Sequence, residues 1–155
     1  MTNGYKKHGE KGYQGGKKPE GPRGLPDGYL REGYFSSDGH IQEELLTITA
    51  DAVAKSFGQG FPRLTTGQLR RFYGHVKTAE KSYQYTGDEK KLVLDIKALA
   101  SFVAEAQGKK KVPRDFYIFI KKNTEMVKSE KDALKGFMPH FQAVVGYFYL
   151  HYPNN

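Results

Sequence analysis

From Ile41 onward, apolar residues recur every three or four positions, the spacing that lines one face of a helix. Ile41, Leu45, Ile48 and Ala52 predict a first helix, capped by Ser37 or Asp38 and ending near Phe57-Gly58. A loop over 58–62 follows. In Leu64-Thr-Thr-Gly-Gln-Leu-Arg-Arg-Phe-Tyr73, Thr65 and Gln68 fit a capping box, and Leu69, Phe72, Tyr73 and Val76 make the apolar face of a second helix that stops before Gly87. Asp88 caps a third, in which Leu92, Ile96, Leu99, Val103 and Ala106 share a face up to Gly108. Pro113 suits the first turn of a fourth, with Phe116, Phe119, Ile120 and Val127 on its core side. Ser129 and Asp132 open a fifth, dense in apolar positions: Leu134, Phe137, Met138, Phe141, Val145, Phe148, Tyr149 and Tyr152. Pro139 lies inside it, so a kink is expected there, or a break at Gly136 with a restart. Two-residue alternation bounded by turn signals is missing throughout. The expected fold is all-α, a compact bundle of about five helices. Its fifth helix is either the centre of the packing or a source of apolar surface for another subunit.

The pattern fails before residue 37. Ten of the eighteen glycines fall in residues 1–40, with few aliphatic side chains to bury. Such composition raises the entropy cost of ordering and returns little in packing. We therefore divide the chain into a Gly/Lys-rich low-complexity leader, 1–36, and a helical-bundle domain, 37–155. The leader is flexible or ordered by a partner, and Leu30–Phe35 is expected to dock on the bundle through Tyr29, Tyr34 and Phe35. Its Tyr5, Lys6, Lys7, Tyr13, Lys17, Lys18 and Arg23 suit either a tail that contacts RNA by charge and stacking or a plain solvated leader.

Charge narrows the partner. The chain carries a net +8, of which +2 lies in residues 1–40 and +6 in the remainder. A basic folded part favours an anionic partner such as nucleic acid. The absence of cysteine removes disulfides, thiolate catalysis and cysteine-held metals. No stretch approaches a membrane span, and the N-terminus lacks the apolar centre of a signal peptide, so a cytoplasmic protein with no membrane partner is expected.

Candidate chemistry is basic rather than catalytic. His8, His40, His75, His140 and His151 are scattered, none paired with a second ligand at metal spacing, and His140 and His151 read as core-edge residues. Gly58-Gln-Gly60 is followed by no GKS/T and preceded by no strand, so it is no phosphate loop. The expectation is a non-enzyme with no catalytic residue, no metal and no cofactor. Arg70, Lys77 and Lys81 share one azimuth of the second helix, beside Arg71. Lys109, Lys110, Lys111 and Arg114 cross the next basic loop, with Lys121 further along the fourth helix. Side-chain cations and free helix N–H groups there suit phosphate. Such contacts position a protein without reading bases, so binding indifferent to sequence is expected. These nine residues are the candidate RNA-binding set. Arg70 has a structural alternative, pairing with an acid such as Asp95.

The stretch Leu64–Tyr73 resembles the start of the small helical subunit of the type III-A CRISPR interference complex, the Csm small subunit family. Phe137-Met-Pro-His-Phe141 through Tyr147-Phe-Tyr149 resembles that family's closing helix. The likeness covers 61–152 and leaves the leader and first helix outside. It departs at Ala104-Glu-Ala-Gln107-Gly108, where glutamine stands in place of a family arginine, whose charge is then supplied by Lys109–Lys111. The resemblance implies a non-catalytic RNA-binding scaffold in antiviral defence. Copies of it would stack along the duplex of CRISPR guide RNA and target RNA, beside the backbone and large subunits of the effector ribonucleoprotein. In RNA-guided complexes pairing supplies specificity, and protein need only hold backbone and shape. The alternative is a helical protein–protein adaptor with no direct RNA role, using the Phe137–Tyr152 surface.

Overall fold

The computed structural model describes residues 24–154. Among them are five α-helices and no strand beyond an isolated bridge between Phe35 and Ile41. The helices are α1 (Ile48–Gln59), α2 (Thr66–Thr86), α3 (Glu89–Gly108), α4 (Arg114–Met126) and α5 (Met138–His151). The all-α expectation holds. The tail residues Tyr5 to Arg23 lie outside the described residues.

The second and third helices form as their caps dictate. Thr65 Oγ1 accepts from the Gln68 N–H (3.1 Å), and Gln68 Oε1 accepts from the Thr65 N–H (3.0 Å), closing a capping box. Gly87 ends α2 in the left-handed conformation (φ 66°), where glycine has no Cβ to clash. Asp88 then caps α3 by accepting from the Lys91 N–H at 3.0 Å. This one-residue handover folds α3 back along α2, with His75 bonded to the Asp95 carbonyl and Lys91 to Ser82. Phe116, Phe119 and Ile120 on α4 and Val127 just after it are all buried, as their spacing predicts, although Pro113 occupies the cap position just outside the helix.

The first helix departs from expectation. A 3₁₀ turn (Glu43–Leu46) precedes α1, and Thr47 at their junction has φ −128° and ψ −104°. This break rotates the face: Ala50, Val53, Ala54 and Phe57 go inside, while Ile48 is 71% exposed and Ala52 also faces solvent. Ser37 and Asp38 cap nothing. Asp38 instead accepts from Ser36 and from the His40 N–H in a local turn.

Pro139 does not break the last helical segment, and no restart occurs at Gly136. A π-helical turn (Asp132–Phe137) runs directly into α5, with the Met138 N–H bonded to the Ala133 carbonyl five residues back. Widening the turn there places proline in the first turn of a new α-helical register, where no N–H is needed. Ser129 and Asp132 do open the segment, the Asp132 N–H donating to Ser129 Oγ at 3.2 Å. On α5 the deeply buried aliphatic is Val144, three residues after Phe141 and four before Phe148, rather than Val145.

Leu45, Asp51 and Lys55 meet His140, His151 and Tyr152 in the same order, so α1 and α5 run alongside in one direction. Between them and α4 sits an aromatic core. Phe57 meets Phe116 and Phe119 edge to face at 5.2 and 5.4 Å, and Phe119 meets Phe141 at 5.3 Å. Such pairs add to the burial of their large apolar area.

Residues 24–36, on the leader side of the division expected at residue 36, lie against this core. Tyr29 and Tyr34 are buried, as the docking expectation required. Their hydroxyls join a directional chain of hydrogen bonds. His140 Nδ1–H donates to the Leu45 carbonyl (2.6 Å), which leaves Nε2 to accept from the Tyr29 hydroxyl (2.5 Å). Asn123 Nδ2 donates to the Tyr29 oxygen (2.9 Å), and Asn123 Oδ1 accepts from Tyr34 (2.8 Å). Each buried group is matched, and among the described residues no buried side-chain nitrogen or oxygen lacks a partner.

Candidate nucleic-acid interface

The capping box of α2 does more than start a helix. The free amide nitrogen of Gln68 donates to the Lys111 carbonyl at 2.7 Å, which fastens the basic loop to the first turn of α2. The loop itself is a Schellman turn. The Lys111 N–H bonds to the Ala106 carbonyl (2.8 Å) and the Lys110 N–H to that of Gln107 (2.9 Å). Lys110 occupies its left-handed position with φ 57°, where glycine is usual and a side chain is strained.

These two devices bring Arg71, Lys109 and Lys111 to the edge of one cavity of about 330 Å3 between α2 and α3. Its walls are Phe72, Leu99, Phe102 and Ala106, with His75 and Glu105 beside them. His75 Nε2 donates to the Asp95 carbonyl (3.1 Å), and the imidazole meets the Phe102 ring edge to face at 5.4 Å. Glu105 pairs with Lys109 at 2.6 Å, and that hydrogen bond holds its carboxyl below the ordinary range. The pair leaves Arg71 and Lys111 as the rim cations outside a close ion pair, with Lys111 feeling the Glu105 charge at longer range. Phe102 remains 49% exposed.

The other candidates lie elsewhere. Arg70 points toward α5, where Nη2 and Nε donate to the Tyr149 hydroxyl at 2.8 and 3.2 Å. Its expected acid, Asp95, pairs instead with Lys91 at 2.6 Å. A structural partner for Arg70 exists, but it is a phenol on the closing helix. Lys77 is bonded to Glu80 at 2.9 Å, which raises its pKa. Lys81 is exposed, ten residues beyond Arg71, about 15 Å along the axis. Lys110 is exposed at the turn itself. Arg114 and Lys121 are exposed on α4, seven residues apart and so on one side of it. The basic set thus separates into an α2–α3 group around the cavity, an α2–α5 group beginning at Arg70, and an α4 pair.

His75, Phe102 and Gln68 belong to the site although basic patterning does not reveal them. Phe102 was legible in part, being an aromatic set off the stripe of α3. Two other histidines among the described residues are structural: His140 is buried in the tyrosine chain, and His151 is paired with Asp51. No three of the described histidines and carboxylates gather as a metal would require. No helix among the described residues is long and apolar enough to cross a membrane.

The fold and this surface define a class: a small helical bundle whose polar surface is organised by cations gathered at helix ends. Residues 41–153 match the model of the Csm2 Type III-A family, and the chain belongs to that family. It is a small subunit of the type III-A CRISPR effector complex. The match begins at Ile41, so α1, expected to lie outside the shared pattern, lies within it. No curated protein and no solved structure matches the chain.

Proposed function

We propose that this subunit is a non-catalytic scaffold that grips the backbone of the guide–target RNA duplex, its copies stacking along that duplex without reading sequence. The observation that supports this most is the meeting of Arg71 with Lys109 and Lys111 at one cavity, tied by the Gln68–Lys111 bond. Arg71 from α2 and Lys109 and Lys111 from the turn after α3 form a positive surface on a backbone held in place by the Gln68 bond, and a backbone already ordered loses less entropy on meeting phosphate. Lys109 is weakened as a phosphate ligand by Glu105, so Arg71 and Lys111 carry the contact. Arg114 and Lys121 on α4, and Lys81 on α2, supply a second, more diffuse field.

The test is the salt dependence of RNA-duplex binding by the full chain between about 50 and 200 mM salt. Arg71→Ala with Lys111→Ala should weaken binding and lower the log–log slope by about 0.7–0.9 for each phosphate no longer held. An unchanged slope removes this cavity from the RNA interface. A wild-type chain that ignores RNA yet forms a stoichiometric protein complex supports the adaptor reading, although Phe137, Phe141 and Phe148 of its expected surface are buried in the core and Leu150 is the large apolar side chain left exposed there.

A further inference from the structure

Backbone contact explains the cations of the cavity but not its walls. A phosphate needs charge and hydrogen-bond donors, and gains nothing from Phe72, Leu99, Phe102 and Ala106. Nor does core packing need Phe102 there. Its ring is half in solvent while Leu92, Ile96, Leu99 and Val103 of the same helix are fully inside. An aromatic ring left uncovered in a recess, with cations on the rim, fits a ligand that carries a flat apolar face and an anion a few ångströms apart. A nucleotide has both.

We propose that the α2–α3 cavity receives one unpaired nucleotide of RNA, its base against the Phe102 ring and its phosphate between Arg71 and Lys111. This deepens the backbone-contact reading and rests on it. Base–aromatic stacking tolerates any base, because every base offers a π-face. The volume, about 330 Å3, falls in the range of small-molecule sites and is ample for a single base. The edge-on contact with His75 fixes one side of the Phe102 ring, and the His75–Asp95 bond holds the imidazole in turn. Glu105, already held by Lys109, lies where it can accept from an amino or imino N–H of the base while Arg71 and Lys111 remain for the phosphate.

The experiment compares three RNA duplexes with the full-length chain: fully paired, with one bulged adenosine, and with an abasic residue at the bulge. Wild type should bind the adenosine bulge about tenfold more tightly than the abasic one. Phe102→Ala should bring the adenosine bulge down to the affinity of the abasic one. Phe102→Tyr should keep the preference, which separates removal of the ring from failure to fold. A 2-aminopurine placed at the bulge should be quenched by wild type and not by Phe102→Ala. Equal binding of the adenosine and abasic bulges by wild type overturns the proposal, as does a preference that survives Phe102→Ala. Either result leaves the backbone reading standing if Arg71→Ala with Lys111→Ala still lowers the slope. If that slope does not move, the cavity is no part of the RNA interface, and the backbone reading of this cavity falls as well.

Discussion

At the scale of single residues, His140 has the best-defined consequence. Burial lowers its pKa from 6.5 to about 4, against the opposing hydrogen bond to the Leu45 carbonyl. The neutral ring is required, since Nε2 accepts from Tyr29 while Nδ1–H donates to Leu45. An unfolded chain takes up the proton near pH 6.5, whereas the folded one resists until about pH 4. The unfolded state therefore binds more protons in that window, and stability falls as pH drops through it. The full contribution is present above about pH 6.5, and its upper bound is about 3 kcal/mol. Urea unfolding at pH 7.5 and pH 5 should show this decline in wild type, and His140→Gln should flatten it. Asp51, its carboxyl lowered chiefly by the bond to His151, acts below that range, because it loses its proton at lower pH still. A wild-type midpoint that stays constant between pH 7.5 and 5 would rule out a buried neutral His140.

At the scale of elements, the caps and the turns set the cavity. Gln68 serves both, closing the capping box of α2 and holding the carbonyl of Lys111. The Schellman turn aims that lysine back at α2 but sets Lys110 in a left-handed conformation that costs about 1 kcal/mol for a side chain. Lys110→Gly should accordingly raise stability by up to about 1 kcal/mol, seen as a higher melting temperature, with the turn unchanged. A lower melting temperature would mean that Lys110 is not left-handed. Helix boundaries were legible wherever a local side chain enforces them: Thr65, Gly87 and Asp88 act within four residues of themselves. The start of α1 was not. Its register depends on Leu45 meeting His140, 95 residues away, and the alternative stripe Ile41, Leu45, Ile48, Ala52 is equally periodic.

At the scale of the whole molecule, residues 24–36 are bound to the bundle through a few close fits. Tyr34 lies over Gly136, where an added Cβ would sit 2.6 Å from the ring, and its hydroxyl reaches Asn123. No approach that short is tolerated, so Gly136→Ala must displace Tyr34 or the π-helical turn beneath it. We expect destabilisation by about 1–3 kcal/mol and faster proteolysis near Arg31, which the docked segment protects. Unchanged cleavage would show that Tyr34 does not hold the segment down. The same assembly fixes the charge distribution: α3 folded on α2 draws Arg71, Lys109 and Lys111 together, while α5 draws Arg70 away to Tyr149.

What the chain determined by itself is local in physical range. Helical periodicity, capping side chains and net charge specified an all-α protein with basic helix ends, and the Leu64–Tyr73 and Phe137–Tyr149 stretches carried the family likeness. What only the tertiary structure decided depends on groups far apart in the chain. Which cations share a cavity follows from helix pairing, because a helix azimuth says which way a side chain points but not what it meets. The π-helical turn that accommodates Pro139, the rotation of α1 and the His140–Tyr29–Asn123–Tyr34 chain are likewise settled by packing, since each trades a local preference for burial or for a matched polar group.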